Sequence, residues 1–408
     1  MPGKLREGFT TGSAAAGAAL AALHLLRHEY APASVRVPLP PFTSAPQTDN
    51  GGQPVPRGWL ELQVANCQPG PAPELAGCWD IKGFRHCDPP PQGIIRSAHA
   101  SIIKDGGDDP DATSGARIVA TVVESALPVD GAELADPGNI IIKGGPGVGR
   151  ITLPGLPVPV GQAAINPVPR QQISFALRAQ ECGHIHGAAN SAKTLLTVFV
   201  SVPQGIKLAQ KTFNLRLGIE GGISILGTQG TVRPFSHAAW KATIEQGLAV
   251  AAATGCHTVC LTTGRRSERL LMERYPQLPE RCFVQVADFA QFSLHAAGAM
   301  GFEQIVWGCF FGKLVKLAQG HAYTHAKDST LDMQALAQQA EAAGAACVSE
   351  IGRCITAAHA LELLLPDAVG PQVIEHVARQ AMHTARDFAG QAVGLHLFHT
   401  DGRELLAL

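Results

Sequence analysis

The sequence predicts α/β plus α+β architecture in two domains: an N-terminal α+β domain over residues 1–212 and a C-terminal parallel-sheet α/β domain over 213–408. Three observations carry this. The chain has 408 residues, enough for two separately buried cores. Up to residue 212, strand-like and helix-like stretches follow one another irregularly between long Pro/Gly-rich segments, which suits an α+β layout. From residue 213 they alternate regularly, as a parallel sheet with crossover helices requires.

The formal charge is −1, so there is no basic footprint for nucleic acid. No apolar run is long enough to span a bilayer; the nearest, Ala14 to Leu26, is short and broken by His24. Met1 to Glu7 shows no signal-peptide pattern, so the expectation is a cytoplasmic protein with no membrane partner. The ten cysteines lack paired C-x-x-C spacing and read as free thiols. Cys182, His184 and His186 lie close together, as do Cys256, His257 and Cys260, but neither group has four ligands at familiar zinc spacing, so no metal site is expected.

Along the chain, Ala14 to Arg27 is dense in helix formers, with Thr11 or Ser13 placed to cap it. Its start either packs closely on a sheet or presents Thr10 and Thr11 to an anionic group. Trp59 to Val64 reads as a strand between two Pro/Gly-rich loops, 38–58 and 67–93. Ala98 to Lys104 is ordered and leads into Asp105, Asp108, Asp109 and Asp111. That acidic run lacks the EF-hand spacing and is read as a turn capping a helix over Ala116 to Ala126. Asn139 to Arg170 holds Gly144, Gly145, Gly147 and Gly149 between apolar β-branched residues. A dinucleotide loop would run from strand into helix, whereas Arg150 to Pro154 continues as strand. Gln171 to Cys182 reads as a helix, Gly187 to Ala192 as a turn, Thr194 to Val202 as a strand, and Gly205 to Lys211 as a turn out of the first domain.

In the second half the expected strands are His257 to Thr262, Cys282 to Ala287 and Gln304 to Gly308, after the apolar stretch Leu217 to Leu226. Helices follow over 236–254, to Arg274, to Ala299 and to Ala318. The strand ends, where ligands of such sheets bind, carry Gly227, Thr228, Gly230, Gly264, Arg265, Asp288, Gly312 and Lys313. His321 and His325 are spaced to share one helical face. Leu331 to Leu365 and Gln372 to Phe388 are helical, and the tail from Ala392, with its Asp401-Gly402 turn, reads as an edge hairpin.

Four ordered stretches then strongly resemble the cobalt-precorrin-5B C(1)-methyltransferase family, CbiD: the glycine-rich segment with Ala164-Ile-Asn-Pro-Val-Pro-Arg170, Gly8-Phe-Thr-Thr-Gly-Ser13, Lys104-Asp-Gly-Gly-Asp-Asp-Pro-Asp111, and Gly222 through Gly227-Thr-Gln-Gly230 to Arg233-Pro234. The likeness runs to about residue 330 and is weakest over 38–96. It implies methyl transfer from S-adenosylmethionine to a ring carbon of a cobalt-bound tetrapyrrole in anaerobic cobalamin synthesis, with cobalt arriving only inside the substrate.

For that chemistry, Arg170 and Arg233 are the expected carboxylate clamps, since a guanidinium is a planar fork of donors. Thr10, Thr11, Lys104, Gly145, Gly147, Asn166 and Lys313 are further substrate contacts. Gly227, Thr228, Gly230, Gly264 and Asp288 are expected to hold the methyl donor, with Asp288 accepting ribose hydroxyls. Asp105, His321 and His325 are the candidate proton acceptors. Two other classes stand beside this reading: a tetrapyrrole or cobalt carrier, and a nucleotide-dependent ligase or kinase, the latter lacking a G-x-x-x-x-G-K-[ST] loop. Homo-oligomerisation is left open.

Overall fold

The computed structural model describes residues 5–42, 56–75, 94–125, 140–182 and 195–408. The expected 187–192 turn, the Cys182, His184 and His186 side chains, and segments 43–55 and 76–93 of the Pro/Gly-rich loops lie outside the described residues. The chain divides into two compact units, Met1–Ser236 and His237–Leu408.

The first unit runs β1 (Gly8–Phe9), α1 (Thr11–His28), β2 (Ser34–Leu39), β3 (Gly58–Gln63), β4 (Asn66–Pro69), β5 (Ile94–Ile103), β6 (Arg117–Ser125), β7 (Ile140–Gly144), β8 (Gly147–Val148) and β9 (Arg150–Ile151). It continues through α2 (Pro167–Cys182), β10 (Leu195–Ser201), α3 (Gly205–Ala209), β11 (Ile219–Glu220), β12 (Gly222–Ile223) and β13 (Thr231–Val232). Five strands form a sheet in the order β4-β5-β6-β10-β7, antiparallel except for the parallel β10–β7 pair.

Helix α1 packs on this sheet because its buried face is almost all alanine. Ala14, Ala15, Ala18 and Ala22 share a core with Ala98, Ala100 and Ala120 of the strands, so backbones come close without voids. Thr10, one residue earlier than expected, is the cap, its hydroxyl accepting from Ser13 N. At the other end Glu29 turns left-handed, φ 63°, and closes on Leu25 O.

Several expectations fail in this unit. Within the helix expected over 116–126, Arg117–Ser125 form strand β6. Ile118, Val119, Thr121, Val122 and Val123 are β-branched, and the strand is central, bonded on both edges and buried along nearly its whole length, so its sequence carries no alternation. The change of unit comes after Ser236 rather than after residue 212. Segment 217–232 is held by earlier chain: β11 pairs with β9, β12 with β8, and β13 with β1. Gly205–Ala209 is a short helix where a turn is expected, and α2 begins earlier, at Pro167, where a missing N–H costs nothing.

The second unit alternates as expected: α4 (His237–Ala253), β14 (Thr258–Thr262), α5 (Arg265–Arg274), β15 (Phe283–Gln285), α6 (Ala290–Ala299), β16 (Gln304–Phe310) and α7 (Phe311–Ala318). Then come α8 (Met333–Ala342), α9 (Val348–Arg353), α10 (Ala357–Leu364), α11 (Gly370–Ala389), β17 (Val393–Phe398) and β18 (Glu404–Ala407). The strand order is β15-β14-β16-β17-β18, parallel but for the antiparallel edge strand β18, so the tail is the expected hairpin.

Helix α5 covers one face, with Leu270 and Leu271 on Cys260, Phe283 and Val306. Helices α4, α6, α7 and α11 cover the other, around Trp307, Leu314 and Val377. The sheet is doubly wound. Its switch point lies between β14 and β16, because the connections leaving and reaching these neighbours pass over opposite faces. The stretch 331–365 breaks into three helices, with Asp332 and Thr356 capping α8 and α10. No helix among the described residues is long and apolar enough to cross a membrane.

Candidate functional site

In the first unit the predicted residues gather where segment 217–232 is sewn to the start of α1. Thr11 Oγ1 donates to Leu226 O at 3.2 Å and accepts from Leu226 N at 2.9 Å. Gly12 N donates to Leu226 O, and Thr10 N to Gly230 O. Ser13 Oγ donates to Gly230 O at 2.7 Å and accepts from Gln172 Nε2 at 3.0 Å. The helix start is thus largely satisfied by its own chain, which leaves few donors for the anionic group expected there. Gly227 lies against Thr10 and Gly230 against Leu39 and Ser13, whereas Thr228 is exposed. These three belong to the first unit and not to the parallel sheet, since β13 pairs with β1. Their grouping with the sheet's strand ends is therefore corrected.

The acidic run pins loops instead of capping a helix. Asp105 pairs with the Arg6 guanidinium and accepts from Gly107 N at 2.9 Å. Asp108 accepts from Arg6 N and Asp109 from Phe235 N. Asp111 takes the Lys104 ammonium and the Thr113 amide and hydroxyl. Ser114 Oγ accepts from Gly106 N, a use the sequence did not disclose. The Arg6 hydrogen bond holds the Asp105 carboxyl below its ordinary range, which makes it a weaker base. Burial alone would raise Asp111, but the charge and hydrogen bond of Lys104 and the two bonds from Thr113 outweigh it and bring it down. Lys104 is only 2% exposed and serves this pair.

Gly145 packs on Ser201, and Gly147, at φ 76°, faces Val202 O with no room for a Cβ. Asn166 is half-buried at the head of α2, its backbone N–H donating to Ile225 O. Arg170 donates from Nε to Ile165 O at 2.9 Å and from Nη1 to Ile142 O at 3.0 Å, so it ties the glycine segment to β7. Arg233 is half-exposed, 3.5 Å from Glu7.

In the second unit a different cluster stands beyond the carboxyl ends of the strands. Asp288 follows β15, and Ala287 before it is left-handed at φ 48°, a strained geometry of the kind that gathers at functional sites. Asp288 Oδ1 accepts from Lys313 Nζ, in the first turn of α7, and from Thr324 Oγ1 at 3.3 Å. Oδ2 makes no hydrogen bond among the described residues. Lys313 and Asp288, assigned on sequence to two ligands, are one ion pair.

Thr324 N donates to Asp288 O and Gln291 N to Ala322 O, which fastens the 320–330 loop over the β15–α6 connection. Lys316, 7% exposed, also donates to Thr324 O. Tyr323 bonds His237 Nε2 through its hydroxyl at 3.1 Å and packs on Phe289. Burial, then Asp288 and Asp328, push its phenol up. At the end of β14, Gly264 heads α5 without a side-chain cap, and a Cβ there would meet nothing.

His321 and His325 do not share a helix, which is a second correction here: 320–332 is a loop beyond α7, opening at Gly320, φ 80°. His321 Nε2 bonds Thr330 O, while His325 stacks on Tyr323 and faces Asp328. Sequence reading passed over Lys316, Tyr323 and His237; Lys316 was findable, three residues from Lys313 on one helix face. In the other cysteine group, Cys256 Sγ lies 2.9 Å from Cys282 Sγ, and His257 turns to Glu303.

Residues 1–47 and 92–234 match the CbiD family, and 323–407 match the CbiD C-terminal domain. The span 235–322, with Gly264, Asp288 and Lys313, falls between these matches. The cobalt-precorrin-5B C(1)-methyltransferase of Nitratidesulfovibrio vulgaris is 47% identical over 405 residues, 98% of this chain and 92% of that one. That of Geobacillus kaustophilus is 41% identical over 362 residues, 88% of this chain and 82% of that one. A crystal structure of cobalamin biosynthesis protein (cbiD) from Archaeoglobus fulgidus aligns with a TM-score of 0.34 at 23% identity over 77% of this chain and 79% of that chain.

Proposed function

The chain belongs to the CbiD family, and from that membership we propose that it transfers a methyl group from S-adenosylmethionine to C-1 of cobalt-precorrin-5B, giving cobalt-precorrin-6A. The donor supplies an activated methyl: the C–S bond breaks with both electrons staying on sulfur as the new C–C bond forms. No nucleophilic side chain is needed. The protein's work is to align the two ligands and keep water out, worth up to ~7–11 kcal/mol.

The donor site is the crevice of the second unit. The observation that carries this is Asp288 at the end of a doubly wound strand, held by Lys313 and Thr324 through Oδ1, with Oδ2 making no hydrogen bond among the described residues. It is placed to accept ribose hydroxyls. Gly264 leaves open space beside the uncapped start of α5, and the Tyr323 and His237 rings offer an aromatic wall. In the first unit, Arg233 and the exposed Thr228 are the contacts for the tetrapyrrole's acid side chains, and Arg170 holds the glycine segment to β7. His325, on the crevice loop beside Tyr323, is the proton acceptor.

Calorimetric binding of S-adenosylhomocysteine tests the donor site. Asp288→Ala is expected to weaken it about tenfold or more, the worth of hydrogen bonds to a charged acceptor. Unchanged affinity in the folded variant would place the donor elsewhere.

A further inference from the structure

Two ammonium groups, Lys313 Nζ and Lys316 Nζ, converge on one carbonyl, Thr324 O, each at 3.1 Å. Among the described residues only one carboxylate, Asp288, stands with them, and it is paired with Lys313. Lys316 has no carboxylate partner among the described residues, yet its side chain is almost wholly buried. A buried charge without a counter-charge is costly unless an anion arrives to meet it. Burial, then the neighbouring Lys313 charge, lower its affinity for the proton, offset only in part by Asp288.

The place is also the right one. Lys313 and Lys316 lie on successive turns of α7, directly after β16, which flanks the switch point where ligands of such sheets sit. The backbone around them is fixed, with Thr324 N on Asp288 O and His321 N on Lys316 O. The spare positive charge is therefore presented on a rigid frame.

We propose that Lys316, with Lys313 beside it, is a carboxylate-binding pair in this crevice, and that Lys316 is the charge a ligand's carboxylate neutralises. The inference deepens the methyltransferase reading and rests on it for the identity of the ligand. Two sources share the chemistry: the methionine carboxylate of the donor and an acetate or propionate arm of the tetrapyrrole.

The test compares wild type with Lys316→Met, which keeps the buried stem, and Lys316→Arg, which keeps the charge. Each is titrated with S-adenosylhomocysteine, with methylthioadenosine, which lacks the carboxylate, with cobyrinic acid, and with cobinamide, whose side chains are amidated. Loss of affinity of about ten- to a hundredfold, the worth of one charge-assisted hydrogen bond, is expected in Lys316→Met for one carboxylate-bearing probe and not for its counterpart without carboxylates. Partial rescue is expected in Lys316→Arg. Loss confined to S-adenosylhomocysteine names the donor as the source; loss confined to cobyrinic acid names the tetrapyrrole.

Equal losses for both members of a pair, or no loss in a folded variant, overturn the proposal. If wild type binds none of the four, the methyltransferase reading fails. Thermal stabilisation by citrate at constant ionic strength then decides the anion site alone: it persists if citrate protects wild type and not Lys316→Met, and falls otherwise.

Discussion

Gly147→Ala separates a glycine that touches ligand from one that touches protein. Gly147 has φ 76°, and a Cβ built on it would lie 1.8 Å from Val202 O and 3.2 Å from Gly205 N. The left-handed backbone costs a residue with a Cβ about 1–2 kcal/mol. The overlap is with backbone, so it is relieved only by moving β8 away from the end of β10. That strains Val202 N to Pro146 O at 2.8 Å and Gly149 N to Ile223 O at 2.9 Å, each worth about 1 kcal/mol. The expected destabilisation is about 3–4 kcal/mol, read from the urea midpoint and slope. Gly161→Ala is the control, because Gly161 has φ 88° but open space around it, so about 1–2 kcal/mol is expected. Equal costs for the two variants, or a stable Gly147→Ala that binds tetrapyrrole poorly, would refute the packing argument and return Gly147 to the substrate.

Lys104→Met should cost about 3 kcal/mol by stripping Asp111 of its buried partner, with part recovered in Lys104→Met/Asp111→Asn. The depressed Asp111 carboxyl contributes stability that is present above its unfolded pKa, about 3.9, and lost as pH falls; acid titration of Lys104→Met should lose that component. His399 is raised by the hydrogen bonds its ring donates to Glu362 and Asp401, so its stabilisation is full below the unfolded pKa, about 6.5, and lost as pH rises through the folded one. The Tm gap between wild type and His399→Gln should be widest in mild acid and narrow in alkali; a constant gap would contradict the assignment. Burial first pushes the Cys260, Cys282 and Cys309 thiols up to about 12. Peptide mapping after iodoacetamide at neutral pH should find these three unmodified in the native protein and modified in urea.

The second unit was legible because its signal is local. Each strand is a short apolar run, each helix begins at a glycine, aspartate or aromatic just beyond it, and the alternation itself implies the parallel sheet. The first unit was less so because its pairings are distant. Nothing within 217–232 reveals that β12 pairs with β8 or that Leu226 bonds Thr11, more than two hundred residues away. Strand β6 was misread because burial on both faces erases alternation, leaving only β-branching to distinguish it from a helix.

At the site, residue types and neighbourhoods were readable, while pairings were not. Asp288 and Lys313 each stood at a strand end in the sequence, but that they neutralise one another depends on β15 and β16 flanking β14. Arg170 had the chemistry of a clamp, yet its donors meet Ile165 and Ile142 carbonyls, a need visible only once the glycine segment is folded.

The most direct measurement is methyl transfer itself. Cobalt-precorrin-5B, made anaerobically, is incubated with S-adenosylmethionine carrying a deuterated methyl group, and the corrinoid product is weighed by mass spectrometry with wild type and Asp288→Ala. A product bearing one labelled methyl, absent without protein and formed about tenfold or more slowly by the variant, is the predicted result. Tight tetrapyrrole binding with no labelled product would contradict methyl transfer and point to a carrier, and full activity in Asp288→Ala would remove the donor from the crevice of the second unit.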